Sequence, residues 1–322
     1  MDQPIRVGVV GVGKFGQHHA RVYRELPGAE LVGVYDAHAG RAAEIAAAHR
    51  CRAFASLEEL LDQIDAASVA VPTEQHATAA CRLFEAGVDV LVEKPMARTV
   101  AEADLMMAAA ERHGRLLQVG HLEQFNPAVA AARAIARSPL FFEAHRLSPF
   151  SPRSLDVDVV MDLMIHDLDI VLSLVDSEVE EIRAVGIAVL SPKFDIANVR
   201  VSFENGCVAN FTASRVSTER VRKLRWFQPQ EYISVDYARQ DAIVITVERG
   251  GGVPMLSHRK LDPPQQEPLR RQLEAFLECV RDRRPPLVDG KQGRRALVLA
   301  HQIQDEMARH AARLQSRRVG TR

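Results

Sequence analysis

The 322-residue sequence is short of lysine, aromatic residues and cysteine, and it has no long hydrophobic run. No stretch approaches the roughly 18 apolar residues of a membrane span. The N-terminal residues lead straight into a strand pattern without an apolar signal segment. These absences predict a cytoplasmic protein with no membrane partner. The four cysteines (Cys51, Cys81, Cys207, Cys279) stand at least 30 positions apart and form no CxxC. That spacing argues against a zinc site or redox motif, so no metal is expected and the thiols are read as free in a reducing compartment. Basic and acidic side chains number 41 and 42, a net charge of −1, and aromatic residues make up 5%. A nucleic-acid partner is therefore disfavoured. Only six of the 41 basic residues are lysines, so each lysine merits a reason.

What is present is an ordinary globular composition, 47% hydrophobic and 26% charged. The length suggests two domains. Apolar, β-branched segments at Ile5–Val10, Glu30–Tyr35, Arg52–Ala55, Ala66–Val71, Val88–Val92 and Leu116–Val119 read as strands. Helices are expected between them at Gln17–Leu26, Arg41–His49, Ser56–Leu61, Thr73–Glu85 and Thr99–His113. Two carry capping boxes, Ser56 with Glu59 and Thr99 with Glu102. Strands alternating with helices at this spacing predict a doubly wound parallel Rossmann sheet, of the α/β class, over residues 1–121.

The character then changes. Residues 122–322 are expected to form an α+β domain with a largely antiparallel open sheet that serves substrate binding and oligomerisation. A helix from Pro127 to Arg137 is followed by strands at Leu140–Leu147, Glu180–Leu190, Ile196–Phe203, Cys207–Arg215, Lys223–Phe227, Tyr232–Tyr237 and Ala242–Glu248. Glu204-Asn205-Gly206 marks a tight hairpin. Val159–Val175 reads as one helix among the strands, and Pro268–Arg283 and Gly293–His310 as terminal helices that pack back. A sheet covered on one face only predicts a homodimer or homotetramer.

Gly11-x-Gly13-x-x-Gly16 follows a strand, opens a helix and precedes Asp36, which ends the next strand 20 residues on. Together these make the dinucleotide fingerprint, with Lys14 and Phe15 inside the loop. The first glycine makes the turn, the second lets backbone approach a pyrophosphate, and the third allows helix and strand to pack. Asp36 can accept both ribose hydroxyls and would repel a 2′-phosphate, which favours NAD over NADP. Arg41 is the one nearby cation that could argue otherwise.

Glu93-Lys94-Pro95 closes a strand, at the end where open α/β sheets bind ligands. A solvated structural lysine is the plain alternative there. In Val159–Val175, Asp162, His166 and Asp169 follow at i, i+4 and i+7, which places them on one stripe of an otherwise apolar helix. Such a stripe costs desolvation energy unless it is paired or used. A buried polar cluster holding the domain together is the other reading.

Four segments, Gly11–Gly16, Val71-Pro72-Thr73-x-x-His76, Glu93-Lys94-Pro95 and Asp162-x-x-x-His166-x-x-Asp169, together resemble the Gfo/Idh/MocA family of NAD(P)-dependent oxidoreductases. The resemblance spans essentially the whole chain. It implies hydride transfer between a hydroxyl carbon and NAD. Lys94 would hydrogen-bond the reacting hydroxyl, His166 would be the general base, and Asp162 would orient substrate and His166. Pro72, Thr73, His76 and Glu93 would lie on the nicotinamide side, with Asp169 among the substrate contacts, although His76 could equally cap its helix. The chain departs from the family at Ser154–Val160, where a glycine-rich run is common, at Met164, and at Gln124, where arginine is common. With His121–Pro127, Arg146–Ser154 and Ala213–Ser217, it resembles the bacterial subgroup that oxidises the sugar 3-hydroxyl of UDP-N-acetylglucosamine. Their 3-keto product passes to a PLP-dependent aminotransferase for lipid A. Arg146, Arg153 and Arg215 are then candidates for the substrate phosphates; in an arginine-rich chain an ordinary surface or interface residue is the plain alternative for each, and Arg153 alone is singled out. The alternatives are a dehydrogenase of another sugar or cyclitol (a UDP-GlcNAc-uronate or myo-inositol type) and a non-catalytic NAD-binding regulator. A regulator would not need to keep Lys94, Asp162 and His166.

Overall fold

The computed structural model describes residues 3–151, 157–248 and 253–319. The chain divides into two compact units, Met1–Phe125 with Gln266–Leu297, and Asn126–Gln265 with Val298–Arg322.

In the first unit the chain runs β1 (Ile5–Val10), α1 (Gly16–Glu25), β2 (Ala29–Tyr35), α2 (Ala39–His49), β3 (Arg52–Ala53), α3 (Leu57–Leu61), β4 (Ala66–Val69), α4 (His76–Glu85), β5 (Asp89–Glu93), α5 (Val100–Arg112) and β6 (Leu117–Gly120). The six described strands pair in parallel in the order β3-β2-β1-β4-β5-β6. β4 and β6 are buried at every residue, as continuous apolar runs require when helices cover both faces of a sheet. The order reverses between β1 and β4, so the carboxyl ends of those two strands frame the ligand crevice of a doubly wound sheet. Both helix starts flagged by their sequence are capped. Thr99 and Glu102 exchange reciprocal bonds, whereas Ser56 accepts from Glu59 N–H and the Glu59 carboxylate turns to Ala55 N–H instead.

The second unit contains α6 (Pro127–Arg133), β7 (Phe141–Leu147), α7 (Ile165–Leu174), β8 (Val179–Ile187), β9 (Ile196–Phe203), β10 (Val208–Ser214), β11 (Val221–Gln228), β12 (Glu231–Asp236), β13 (Asp241–Glu248) and β14 (Met255–Leu261). Among the described residues these strands form one eight-stranded sheet, β14-β13-β12-β11-β7-β10-β9-β8. It is antiparallel except at the β7–β10 pair. Buried residues alternate along β7 and β10, which marks a sheet with one packed face. Phe142, Phe203, Phe211 and Trp226 fill that face, the Phe142 and Trp226 rings 6.1 Å apart.

Two elements differ from the sequence expectation. β14 was not expected, because six of its seven residues are exposed. An edge strand open on both faces carries no apolar alternation to read. The expected helix Val159–Val175 opens with a π-helical turn, Val160–Met164, before α7. Asp158 caps that turn by accepting from Val160 and Met161 N–H.

Beyond β14, α8 (Pro268–Asp282) belongs to the first unit, where Leu273, Phe276 and Leu277 join the core with Val22 and Tyr23 of α1. α9 (Gly290–Val319) closes the chain.

Asp195 anchors the segment between β8 and β9. Its carboxylate accepts from Val189, Leu190 and Ser191 N–H at 2.7, 2.7 and 3.1 Å and from the Ser191 hydroxyl at 2.9 Å. Burial alone would raise its pKa, but these donors outweigh it and hold the group at about 2, against an ordinary 3.8. A depressed folded-state pKa contributes stability above about pH 4 that is lost as the pH falls toward 2. Asp195→Asn should lower unfolding stability at pH 7 by about 1–3 kcal/mol. Denaturant titrations should also show a smaller acid loss in the variant between those two pH values. Parallel pH profiles for parent and variant would disprove the assignment.

Candidate active site

The glycine loop is built by steric exclusion. Gly11 adopts φ +84°, and a Cβ there would stand 2.6 Å from Val71 N. At Gly16 a Cβ would lie 1.8 Å from Gly11 O, so no other residue lets α1 start this close to the turn. Gly13 is different. No protein atom lies within 4 Å of where its Cβ would be, so its backbone faces open space, as a close-approaching pyrophosphate needs. Lys14 and Phe15 are exposed at the loop tip, Phe15 to 60%.

Asp36 ends β2 with one carboxylate oxygen on Val12 N–H at 2.8 Å and the other on His38 N–H at 2.9 Å. Each oxygen keeps a lone pair for a ribose hydroxyl. Arg41 is committed elsewhere. Its guanidinium donates to Val12 O, Gln17 and Glu44 at 2.9, 2.8 and 2.7 Å. These residues fit NAD.

At the carboxyl end of β4, Pro72 is followed by a 3₁₀ turn, Thr73–Gln75, beside the glycine loop. His76 is 1% exposed, with Nδ1 3.0 Å from Pro95 O and Nε2 2.9 Å from Val71 O. It ties the end of β4 to the turn after β5, and its side chain does not cap its helix. Burial holds its pKa below the ordinary imidazole range. Glu93 is partly buried at the end of β5, with Oε1 3.0 Å from His19 Nε2. Lys94 follows it, joined to Pro95 by a cis peptide bond.

In the second unit the polar residues around α7 divide by burial. Asp162 and His166 are partly exposed, whereas Asp167 and Asp169 are buried, to 2% and 0% exposure. Asp169, expected among the substrate contacts, is fully buried, and its charge partly offsets the burial that lowers the pKa of Arg133 from α6. Asp167 accepts two bonds from Arg146, at 2.7 and 3.1 Å, and one from Tyr237 OH at 2.9 Å. The Arg146 guanidinium also lies over the Tyr237 ring.

Two of the three arginines considered for substrate phosphates need correction. Arg146 and Arg215 are each 4% exposed. Arg146 is held by Asp167. Arg215 donates to Val157 O at 2.6 Å and pairs with Asp195 at 3.5 Å. Their charges neutralise buried carboxylates rather than face a ligand. Arg153 lies outside the described residues.

Residues that the sequence reading missed are His19, Tyr23 and Ser68, which line up on Glu93, and Tyr237, which donates to Asp167. A signal existed for the first three. His19 and Tyr23 are one turn apart on the buried stripe of α1, and Ser68 is the hydroxyl in an apolar strand.

Residues 5–121 match the profile of an oxidoreductase family with an NAD-binding Rossmann fold, and residues 135–235 match the Gfo/Idh/MocA C-terminal domain. The chain belongs to the Gfo/Idh/MocA family. NAD is the cofactor of its first unit. This Gfo/Idh/MocA chain is 40% identical over 304 residues to the UDP-N-acetylglucosamine 3-dehydrogenase of Acidithiobacillus ferrooxidans, covering 93% of this chain and 96% of that enzyme. A solved structure of that enzyme superposes with TM-score 0.89 over 95% of this chain and 98% of its own. The chain is also 25% identical over 308 residues to the scyllo-inositol 2-dehydrogenase (NAD(+)) of Bacillus subtilis, covering 89% and 90% of the two chains. A levoglucosan dehydrogenase in complex with NADH and levoglucosan shares the fold, at TM-score 0.85 and 19% identity over 95% of this chain and 98% of its own.

Asp36→Ala removes the carboxylate expected to accept the adenosine ribose hydroxyls and should weaken NAD binding about 10- to 100-fold. The NAD:NADP affinity ratio, measured by fluorescence titration, should fall with it; an unchanged ratio would show that Asp36 does not read the ribose. Asp167→Asn strands the buried Arg146 charge and should destabilise the protein by about 3–5 kcal/mol in chemical denaturation. A loss under about 1 kcal/mol would mean the pair is not the buried anchor described.

Proposed function

We propose that this chain oxidises the 3-hydroxyl of UDP-N-acetylglucosamine to a ketone with NAD. The observation that carries the reading is the near full-length 40% identity to an enzyme of that name, joined to the open, NAD-compatible glycine loop. In this reading residues 1–121 bind the coenzyme and residues 122–322 bind the sugar nucleotide.

When bound, NAD accepts the hydride from C3. The chain's own residues handle the oxygen. The Lys94 ammonium donates a hydrogen bond to the reacting hydroxyl and stabilises negative charge as the O–H bond breaks. The His166 imidazole takes the hydroxyl proton, and Asp162, one turn before it, orients ring and substrate. Burial of Asp167 and Asp169 supports this division of labour, because Asp162 and His166 alone on that stripe keep accessible surface. Pro72, Thr73, His76 and Glu93 shape the nicotinamide end, and Arg153 contacts the substrate phosphates.

The 3-keto product suits a PLP-dependent aminotransferase, which would supply a 3-amino sugar for lipid A. Among the described residues no helix is long and apolar enough to cross a membrane, and we place the enzyme in the cytoplasm. Exposed Phe227, Ile243, Met255 and Leu256 on β11, β13 and β14 support a homodimer or homotetramer.

Purified protein with NAD should form NADH with UDP-N-acetylglucosamine but not with myo-inositol, scyllo-inositol or glucose. Turnover of an inositol without the nucleotide sugar would overturn the substrate. Lys94→Ala and His166→Ala should each lower kcat about 10²- to 10⁴-fold while NAD still binds. Parent rates in either variant would remove that residue from the chemistry.

A further inference from the structure

A line of buried polar side chains in the first unit ends at the Lys94 turn. Tyr23 Oη lies 2.9 Å from Ser68 Oγ, Ser68 Oγ 2.9 Å from His19 Nδ1, and His19 Nε2 3.0 Å from Glu93 Oε1. Tyr23, Ser68 and His19 are all at most 1% exposed. The direction of each bond follows from the two ends. Burial pushes the Tyr23 phenol well above its ordinary range, so it is a donor. Burial would also raise Glu93, but the His19 hydrogen bond, the His19 charge and then the Lys94 charge outweigh it and pull the carboxyl down. An ionised carboxylate only accepts. His19 Nε2–H therefore donates to Glu93, Nδ1 accepts from the Ser68 hydroxyl, and Ser68 Oγ accepts from Tyr23.

Two further contacts hold the carboxylate at the turn. Its other oxygen accepts from Lys94 N–H at 3.4 Å. Residue 120 on β6 is glycine, and a Cβ there would stand 2.9 Å from Oε1 and 3.1 Å from Glu93 Cα. The titratable groups facing Glu93 are His19 from α1, Lys94 from its own turn and His76 from α4.

We propose that His19 is a positioning residue for Lys94: the Tyr23–Ser68–His19 line fixes the Glu93 carboxylate in one pose, and that carboxylate holds the adjoining Lys94 in place for the reacting hydroxyl. The inference rests on the role of Lys94 proposed above. A carboxylate free to rotate would not hold the neighbouring lysine in one place.

The test uses the full-length enzyme with NAD and its nucleotide-sugar substrate. His19→Ala should lower kcat about 10- to 100-fold, the loss of one hydrogen bond to a charged group. NAD affinity should stay within about twofold of the parent. The acid limb of the kcat–pH profile should move to higher pH, because Glu93 loses the donor that holds it down. His19→Gln, which keeps an N–H, should recover part of the rate. In a Glu93→Gln background, His19→Ala should cost no further activity. Additive losses in that cycle, or a His19→Ala enzyme with the parent kcat and pH profile, would overturn the inference. Should His19→Ala not fold, His19→Gln and Ser68→Ala serve in its place, and an unmoved acid limb in both would overturn it equally. Parent activity in Lys94→Ala sinks the catalytic reading itself, whereas a dead Lys94→Ala beside an unaffected His19→Ala sinks the positioning role alone.

Discussion

The first unit depends on a backbone approach that no side chain could permit. Gly11 turns the chain off β1 at positive φ against Val71, and Gly16 lets α1 begin against the Gly11 carbonyl. With both contacts in place, the ends of β1 and β4 converge and the loop's free N–H groups and the start of α1 face one crevice. Asp36 then braces the loop through Val12 N–H, and Arg41 braces it through Val12 O. One carboxylate and one guanidinium therefore hold the N–H and the C=O of a single residue, Val12. Arg41, the one cation near Asp36 in sequence, is engaged in bracing the loop rather than left open.

The second unit meets a different constraint, a helix required to be apolar and to carry ionisable groups. It resolves this by burying some of them in pairs. Asp167 and Arg146 neutralise each other against Tyr237, and Asp195 and Arg215 do so beneath the β8–β9 connection. The π-helical turn Val160–Met164, capped by Asp158, adds its extra residue where the polar stripe starts. Asp162 lies within that turn and His166 just after it.

How much of this was legible follows from the physics of each signal. Glycine spacing, strand runs and the alternation on β7 and β10 are local consequences of burial, and they read directly from the chain. β14 was illegible because exposure erases periodicity, and the π-turn because a single inserted residue leaves the apolar pattern of Val159–Val175 intact. Arg146 and Arg215 misled for another reason. A cation's use depends on which carboxylate the fold brings to it, and Asp167 and Asp195 lie 21 and 20 positions away in sequence. His19 and Ser68 were visible as polar residues in apolar runs, yet only tertiary structure shows that they point at one carboxylate.

A common device emerges from two neighbouring pairs. In Glu93-Lys94 and His166-Asp167 the acid is held by hydrogen bonds, Asp167 fully buried and Glu93 partly, while the residue bonded to it in sequence is the one proposed for chemistry. A peptide bond is a short lever, so immobilising one side chain restricts its neighbour's backbone without touching the neighbour's reactive atoms. Buried carboxylates are a poor choice for stability alone, since well-packed apolar side chains of similar volume commonly do as well or better. They suit the roles proposed for Lys94 and for His166, a long, rotamer-rich lysine and an imidazole that each need one orientation. On that reasoning the polar interior of this protein is a positioning apparatus, and its energetic cost falls where the chain has the fewest other means of fixing a reactive side chain.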